Sequence, residues 1–388
     1  MKTMKAAVWH GVDDIRMDDV QIPKIDDHEC LLRVTFCGLC KTDVKKINGV
    51  TLGTKGELKP PRVFGHEIVG VLHKVGKHVR NWKEGDRVVV FHHVPCGRCY
   101  YCNRLEFTQC ETYKTIDTSS GIGEPSGGGF GEFVKIPMLI VETGMIKIPD
   151  SSSFETAVFV EPTNCCLKGI DRANISLGDT VAILGQGPVG LTLDQLASLN
   201  GATVIGVDLV DYRLKKAKSL FEVSHAVNAA RENAVDSIKD ITCGRGVDKT
   251  IVAVEEPAAV SHAIKYTRPG GTIVFFSEFG GEGRSLKEGE KSLGGEIVDG
   301  IYGKELNVVG SYSSSYLRHS YAADIVFSGR INVKDQISHV LGIDKLQKAV
   351  DMASKRRSKH WTEVSGKVTK NPIDPDPNER SFKIILKI

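Results

Sequence analysis

The chain has 388 residues, 26% of them charged and 41% hydrophobic, with a formal net charge of +3. Its length predicts two domains, by a soft prior of roughly 150 residues each, and its composition is that of a soluble globular enzyme. The small net charge gives no sign of a nucleic-acid partner, and no apolar run approaches the roughly 18 residues of a membrane helix. The opening MKTMKAAVWHGVDD has neither the apolar stretch nor the cleavage site of a signal peptide, so secretion is not expected. Ten cysteines in that context point to metal ligands and buried thiols rather than disulfides, and the expected compartment is the cytoplasm.

Taken in order, the first 155 or so residues carry short β-like runs at 5–9, 29–36, 67–75 and 87–91, separated by glycine, proline and charged turns. Such spacing predicts a small barrel or sandwich. Pro149-Asp150-Ser151-Ser152-Ser153 is a turn cluster and a candidate passage into a second domain. Beyond it the pattern alternates between strand and helix. After a unit at 180–208, helices are expected at 213–221, 235–241 and 257–266, and strands at 226–228, 250–254, 272–276 and 306–310. Six strands in all fit a doubly wound dinucleotide fold. The glycine-rich 280–300 is expected to be an irregular insertion. Helices at 316–327 and 344–354, a charged, proline-rich surface loop at 355–380 and a strand at 381–388 complete the chain. The cluster Lys355-Arg356-Arg357 is either solvated or a phosphate contact.

The 180–208 unit reads strand, glycine turn, helix, strand. Gly185-Gln186-Gly187-Pro188-Val189-Gly190 fits G-x-G-x-x-G: one glycine for the tight turn, one for close approach of backbone N–H groups to a pyrophosphate, one for helix–strand packing. Pro188 suits the first helical turn. Asp208 ends the next strand at the distance where a carboxylate accepts the hydroxyls of an adenosine ribose. Glycine turns also arise for packing alone, but the flanking strands and the acid in register favour a dinucleotide.

Cys96, Cys99, Cys102 and Cys110 give C-x2-C-x2-C-x7-C, four thiolates able to close a structural zinc tetrahedron with no open position. A second, dispersed set comprises Cys40, His66, Glu67 and Glu161. Thiolate, imidazole and carboxylate suit a catalytic zinc with three protein ligands and one exchangeable position. On residue types alone other readings stay open: Cys40 could pair with Cys37, and a lone His–Glu is more often structural.

Cys37-Gly-Leu-Cys40-Lys-Thr-Asp43, Gly65-His66-Glu67, the four-cysteine lobe, Gly85-Asp86-Arg87-Val88, Glu161-Pro162, the glycine turn, Arg268-Pro269-Gly270-Gly271 and Gly310-Ser311-Tyr312 together resemble the medium-chain, zinc-dependent alcohol and polyol dehydrogenases. The tract 161–166 is most similar to the sorbitol/iditol type. The resemblance implies a GroES-like catalytic domain at 1–160, with its zinc lobe at 95–111, a Rossmann domain at 161–314, and a return to the catalytic domain at 315–388. It implies that Cys40 and His66 bind the catalytic zinc, with Glu67 or Glu161 directly and the other through water. It places Thr42 as the hydroxyl taking the substrate proton, Asp43 as the acid orienting His66, and Lys41 and Arg213 beside the cofactor. Lys45 stands where some relatives have a proton-relay histidine, so that relay ends differently here. Glu255-Glu256 departs from the family's small residues, and His92 and His93 are read as structural.

The implied activity is hydride transfer from a secondary alcohol of a polyol, cyclitol or sugar derivative to NAD, giving a ketone. Asp208 argues for NAD over NADP, two zinc ions per chain are expected, and relatives suggest a homodimer or homotetramer. An amino-alcohol dehydrogenase of the threonine type shares these motifs, and a catalytically silent cofactor-binding protein is the alternative from another class.

Overall fold

The computed structural model describes residues 2–49, 59–115, 127–278, 288–355 and 382–388. The chain divides into two units. One comprises Met1–Asn164, Ser314–Lys355 and Ser381–Ile388, the other Cys165–Ser313. Strands in chain order are β1 (Thr3–Gly11), β2 (Asp14–Gln21), β3 (Cys30–Gly38), β4 (Glu67–Val75), β5 (Arg87–Val90), β6 (Phe133–Ile136), β7 (Met145–Lys147), β8 (Thr180–Leu184), β9 (Thr203–Asp208), β10 (His225–Asn228), β11 (Val247–Val252), β12 (Thr267–Phe275), β13 (Asn307–Gly310), β14 (Ile337–Gly342) and β15 (Lys383–Lys387).

In the first unit β1 and β2 form an antiparallel hairpin, and a larger sheet runs β14-β15-β3-β4-β5-β7 with β6 also on β3. Alternation builds its core: Ile68 and Leu72 of β4 point inward with Val34, Val88, Val90, Phe64 and Phe130, as a period of two dictates. The last strand is nearly all buried. Ile384 and Leu386 join that core, so the end of the chain closes the sheet begun by its first third.

The second unit is a six-stranded parallel sheet of order β10-β9-β8-β11-β12-β13. The order reverses beside β8, which is the doubly wound pattern. Its central strands are continuous runs of Val, Ile, Leu and Ala with no exposed side, because helices cover both faces of such a sheet.

Two expectations change. Residues 288–303 are not irregular but a helix, Glu288–Gly303. Ile297 and Ile301, one helical turn apart, pack on the core of the second unit. A Cβ at Gly300 would lie 2.6 Å from Ile264 Cγ2, so this glycine marks close helix–helix approach rather than a break. The turn at 149–153 does not carry the chain onward. It lies inside the first unit, and the passage to the second falls within helix Val160–Ala173. Strands at β2, β6, β7 and β14 went unread in the sequence. The expectations for 280–287 and 356–380 lie outside the described residues. No described helix is long and apolar enough to cross a membrane.

Candidate active site

Cys40 follows β3 and caps helix Lys41–Ile47. Asp43, in the first turn of that helix and fully buried, draws three groups together. Its Oδ2 accepts the Cys40 N–H at 3.1 Å, its Oδ1 accepts the Gly65 N–H at 3.3 Å, and Oδ1 lies 3.2 Å from His66 Nδ1. A carboxylate on Nδ1 holds the proton there and leaves the other ring nitrogen as donor to a metal. Burial pushes the Asp43 carboxyl up, but His66, Lys46 and the Cys40 N–H outweigh it and hold it below its usual range. Burial likewise presses His66 down, yet Asp43 and Cys40 raise it well above an ordinary histidine. Thr42 is half-buried beside this cluster, Lys41 is exposed and Lys45 is buried.

Ligand atoms of Cys40, His66 and Glu67 all lie within 4.8 Å of one another. The donor set fits zinc: a thiolate, an imidazole oriented by an acid, and a carboxylate. Glu161 is not in that group. It is buried with Oε1 3.6 Å from His92 Nδ1, and the His92 ring lies 4.8 Å from that of His66. His92 therefore stands between two of the candidate ligands. His93 does face the lobe, stacked on Tyr113 at 5.0 Å. Cys37 is not a partner of Cys40. It is fully buried in the core, and a Cβ at Gly65 or Gly129 would meet its sulfur.

A residue missed in the sequence is Lys383. Buried on β15, its Nζ donates to Glu67 Oε1 at 2.5 Å. The sequence carried little signal for this, since Lys383 only opens a short strand whose other end is an exposed lysine.

Cys96, Cys99, Cys102 and Cys110 also converge within 4.8 Å. Measured sulfur separations of 3.5 Å for Cys99–Cys102 and 4.0 Å for Cys96–Cys102 bracket the ~3.8 Å edge of a tetrahedron with Zn–S bonds of about 2.3 Å. No disulfide forms among them. The Arg98 N–H draws the Cys96 thiol down to about 6, while burial pushes Cys102 up to about 12. Four cysteine sulfurs so close, with no disulfide among them, suit a single tetrahedral cation such as zinc.

In the second unit Gly185 ends β8 at φ +95° and Pro188 opens helix Pro188–Leu199. The three glycines differ physically. A Cβ at Gly190 would lie 1.8 Å from the Gly185 carbonyl oxygen, whereas one at Gly187 would meet nothing within 4 Å. Gly190 is thus demanded by packing, and Gly187 faces the open space a pyrophosphate backbone contact requires. Val189 lies in the first turn of that helix. Asp208 is buried, and its carboxylate accepts N–H groups from Gln186 at 2.7 Å, Leu209 at 2.7 Å and Val210 at 3.0 Å, with Arg213 at 3.5 Å. It organises the turn itself, a role the sequence did not disclose. Glu256 is the N-cap of helix Pro257–Tyr266, where a negative charge is favoured by the helix dipole; Glu255 has no such account.

Two family models match: the alcohol dehydrogenase GroES-like domain over residues 26–150 and zinc-binding dehydrogenase over 188–328. The chain is 30% identical to a sorbitol dehydrogenase of Bacillus subtilis, covering 91% of this chain and 94% of that protein. It is 32% identical to D-xylulose reductase A of Aspergillus oryzae, covering 88% and 91%. A structure described as a zinc-binding dehydrogenase from Sinorhizobium meliloti, bound to NADP, superposes with a TM-score of 0.80 at 26% identity over the full length of both. With both halves matched and the fold shared end to end, the chain belongs to the zinc-dependent medium-chain alcohol and polyol dehydrogenases.

Proposed function

We propose that this oxidoreductase removes hydride from a secondary alcohol carbon of a polyol, cyclitol or sugar derivative and delivers it to NAD, leaving a ketone. The observation that carries the reading is the convergence of Cys40, His66 and Glu67 beside a buried, correctly placed Asp43. Cys40, His66 and one of Glu67 and Glu161 would hold a zinc ion, which would supply Lewis-acid chemistry at the substrate oxygen. The protein's own residues then have separate tasks. Asp43 fixes the imidazole, Thr42 takes the substrate proton through its hydroxyl, and Glu161 and His92 present a second buried polar pair to the same region. Cys96, Cys99, Cys102 and Cys110 hold the structural zinc.

The turn at Gly185, Gly187, Pro188, Val189 and Gly190 binds the cofactor pyrophosphate, with Lys41 and Arg213 as further contacts. Asp208, oriented by three backbone N–H groups, favours the free diol of NAD over a 2′-phosphate. The chain works in the cytoplasm as a homodimer or homotetramer, an assembly supported by the edge position of β13.

The test is reduction of NAD and of NADP across polyols, cyclitols, sugar phosphates and amino alcohols, with zinc counted in the same preparation. Turnover of polyols with two zinc ions per chain is expected. Preference for an amino alcohol, or one zinc in an active preparation, would overturn the reading.

A further inference from the structure

Away from the residues described above, two histidines meet on the surface of the first unit. His28 and His78 are both exposed, and His28 Nε2 lies 3.2 Å from His78 Nδ1 with the rings tilted at 58°. They occupy two turns, one just before β3 and one just after β4. Those strands pair antiparallel, with Cys30 opposite Val75 at this end and Gly38 opposite Glu67 at the other. A strand of nine residues at about 3.3 Å per residue sets the pair roughly 25 Å from the Cys40, His66 and Glu67 cluster.

Backbone contacts lock the two turns together. The Gly76 N–H donates to the Glu29 carbonyl at 2.9 Å and the His78 N–H to the Asp27 carbonyl at 2.8 Å. Within the first turn the His28 N–H donates to Asp26 Oδ1 at 2.7 Å, and the Asp26 N–H to Glu29 Oε2 at 3.1 Å. A Cβ on residue 76 would sit 2.5 Å from the Asp27 carbonyl oxygen, so the close approach depends on Gly76. The backbone under both rings is thus fixed before any ligand arrives, and only exposed side chains need turn.

Two neutral imidazoles at this distance share one proton, the N–H of one ring facing the lone pair of the other. In water the net gain from such a bond is small, and a metal ion can take the proton's place. Two nitrogens on one tetrahedral ion at about 2.0–2.1 Å stand ~3.3–3.4 Å apart, close to the 3.2 Å observed. Asp27 adds negative charge nearby. Its carboxyl is held below the usual range first by its bond to Lys77, with His78 and His28 contributing. Imidazole ligands suit zinc, nickel and copper, whereas magnesium and calcium take oxygen.

We infer that His28 and His78 form a surface site for one first-row divalent cation of the zinc, nickel and copper class, with water completing its shell. Once filled, the site clips the turn entering β3 to the turn leaving β4 and stabilises the folded chain by mass action. It is independent of the proposed reaction, because neither ring is among the residues assigned to that chemistry.

The test uses untagged, full-length protein carrying its zinc, washed with a weak chelator to clear labile surface metal and dialysed against micromolar nickel chloride. Nickel and zinc are counted separately by mass spectrometry, and Tm is followed as nickel rises. The wild type should take up one nickel per chain beyond its zinc, with a Tm that climbs with nickel concentration; magnesium chloride should change nothing. Losing a group that merely supports a ligand costs about 10–100-fold in metal affinity. His28→Gln and His78→Gln each remove a ligand itself, so each should weaken nickel at least about tenfold. The double variant should lose little more than either single one, because the rings bind as a unit. Both positions are exposed, so all three variants should keep wild-type zinc content and turnover.

Wild-type nickel uptake in either single variant overturns the inference. So do losses that simply add in the double variant, the mark of two independent imidazoles, and an equal Tm response to magnesium. Intact zinc and turnover with no nickel uptake sink this site alone; nickel bound through the pair in a chain that turns over no alcohol upholds it while the proposed reaction fails.

Discussion

Replacing Asp43 by alanine removes a carboxylate that touches three groups at once. The Cys40 N–H, the Gly65 N–H and His66 Nδ1 all lie within 3.3 Å of its oxygens, and the side chain is fully buried. Hydrogen bonds to a charged group are worth about 1.5–3 kcal/mol each but are not additive. Breaking a buried charge pair from one side costs about 3–5 kcal/mol, and that is the loss of stability expected here. For a domain of this size it corresponds to a fall in Tm on the order of 10 °C. The effect on metal is separable. Losing the acid behind a metal-bound histidine costs about 10–100-fold in affinity, or roughly 1.4–2.7 kcal/mol. Asp43→Asn should fall between wild type and alanine. Its amide oxygen can still accept from His66 and Gly65, but its amino group then confronts the Cys40 N–H, a donor facing a donor. The assays are thermal unfolding and the time course of metal transfer to a chelator, in which the lobe metal serves as an internal reference. If Asp43→Ala releases the active-site metal at the wild-type rate, the account of His66 given above is wrong.

Cys40→Ser should abolish turnover and leave one zinc, that of the lobe; full activity would remove the proposed site. Asp208→Ala should weaken NAD and relax discrimination against NADP, and because its carboxylate anchors Gln186, Leu209 and Val210 it should also lower Tm. An unchanged coenzyme preference measured as a kcat/KM ratio would sink that assignment. Asp248 gives a pH test away from the site. Burial raises its carboxyl, but the Thr180 N–H at 2.8 Å and Arg268 Nε at 2.6 Å outweigh this and hold it below its usual range. A depressed folded pKa contributes stability that is complete above the unfolded value near ~4 and lost as pH falls through the folded one. The Tm deficit of Asp248→Asn should thus be constant from neutral pH to about pH 5 and shrink below ~4; a deficit that grows with acid contradicts the pairing.

Much of this protein was legible in its sequence because the signals are local. Uninterrupted apolar runs declared the strands of a sheet covered on both faces, and the turn at 185–190 declared its own geometry through three glycines. Four cysteines within fifteen residues carry their metal chemistry in their spacing. The helix at Glu288–Gly303 escaped for the opposite reason. Its glycines weaken helix propensity, and only the presence of Ile264 across the gap explains Gly300. The partnerships of Glu67 and Glu161 lay further out of reach. Lys383 stands 316 residues after Glu67, and His92, in the loop after β5, meets Glu161 on the helix Val160–Ala173, so no window of sequence contains either pair. Residue type determined which side chains could bind a metal. The sheet order, by setting β15 against β3 and leaving a glycine at the crossing, decided that Glu67 meets Lys383, because a charge in the core goes where packing lets it find its counterion.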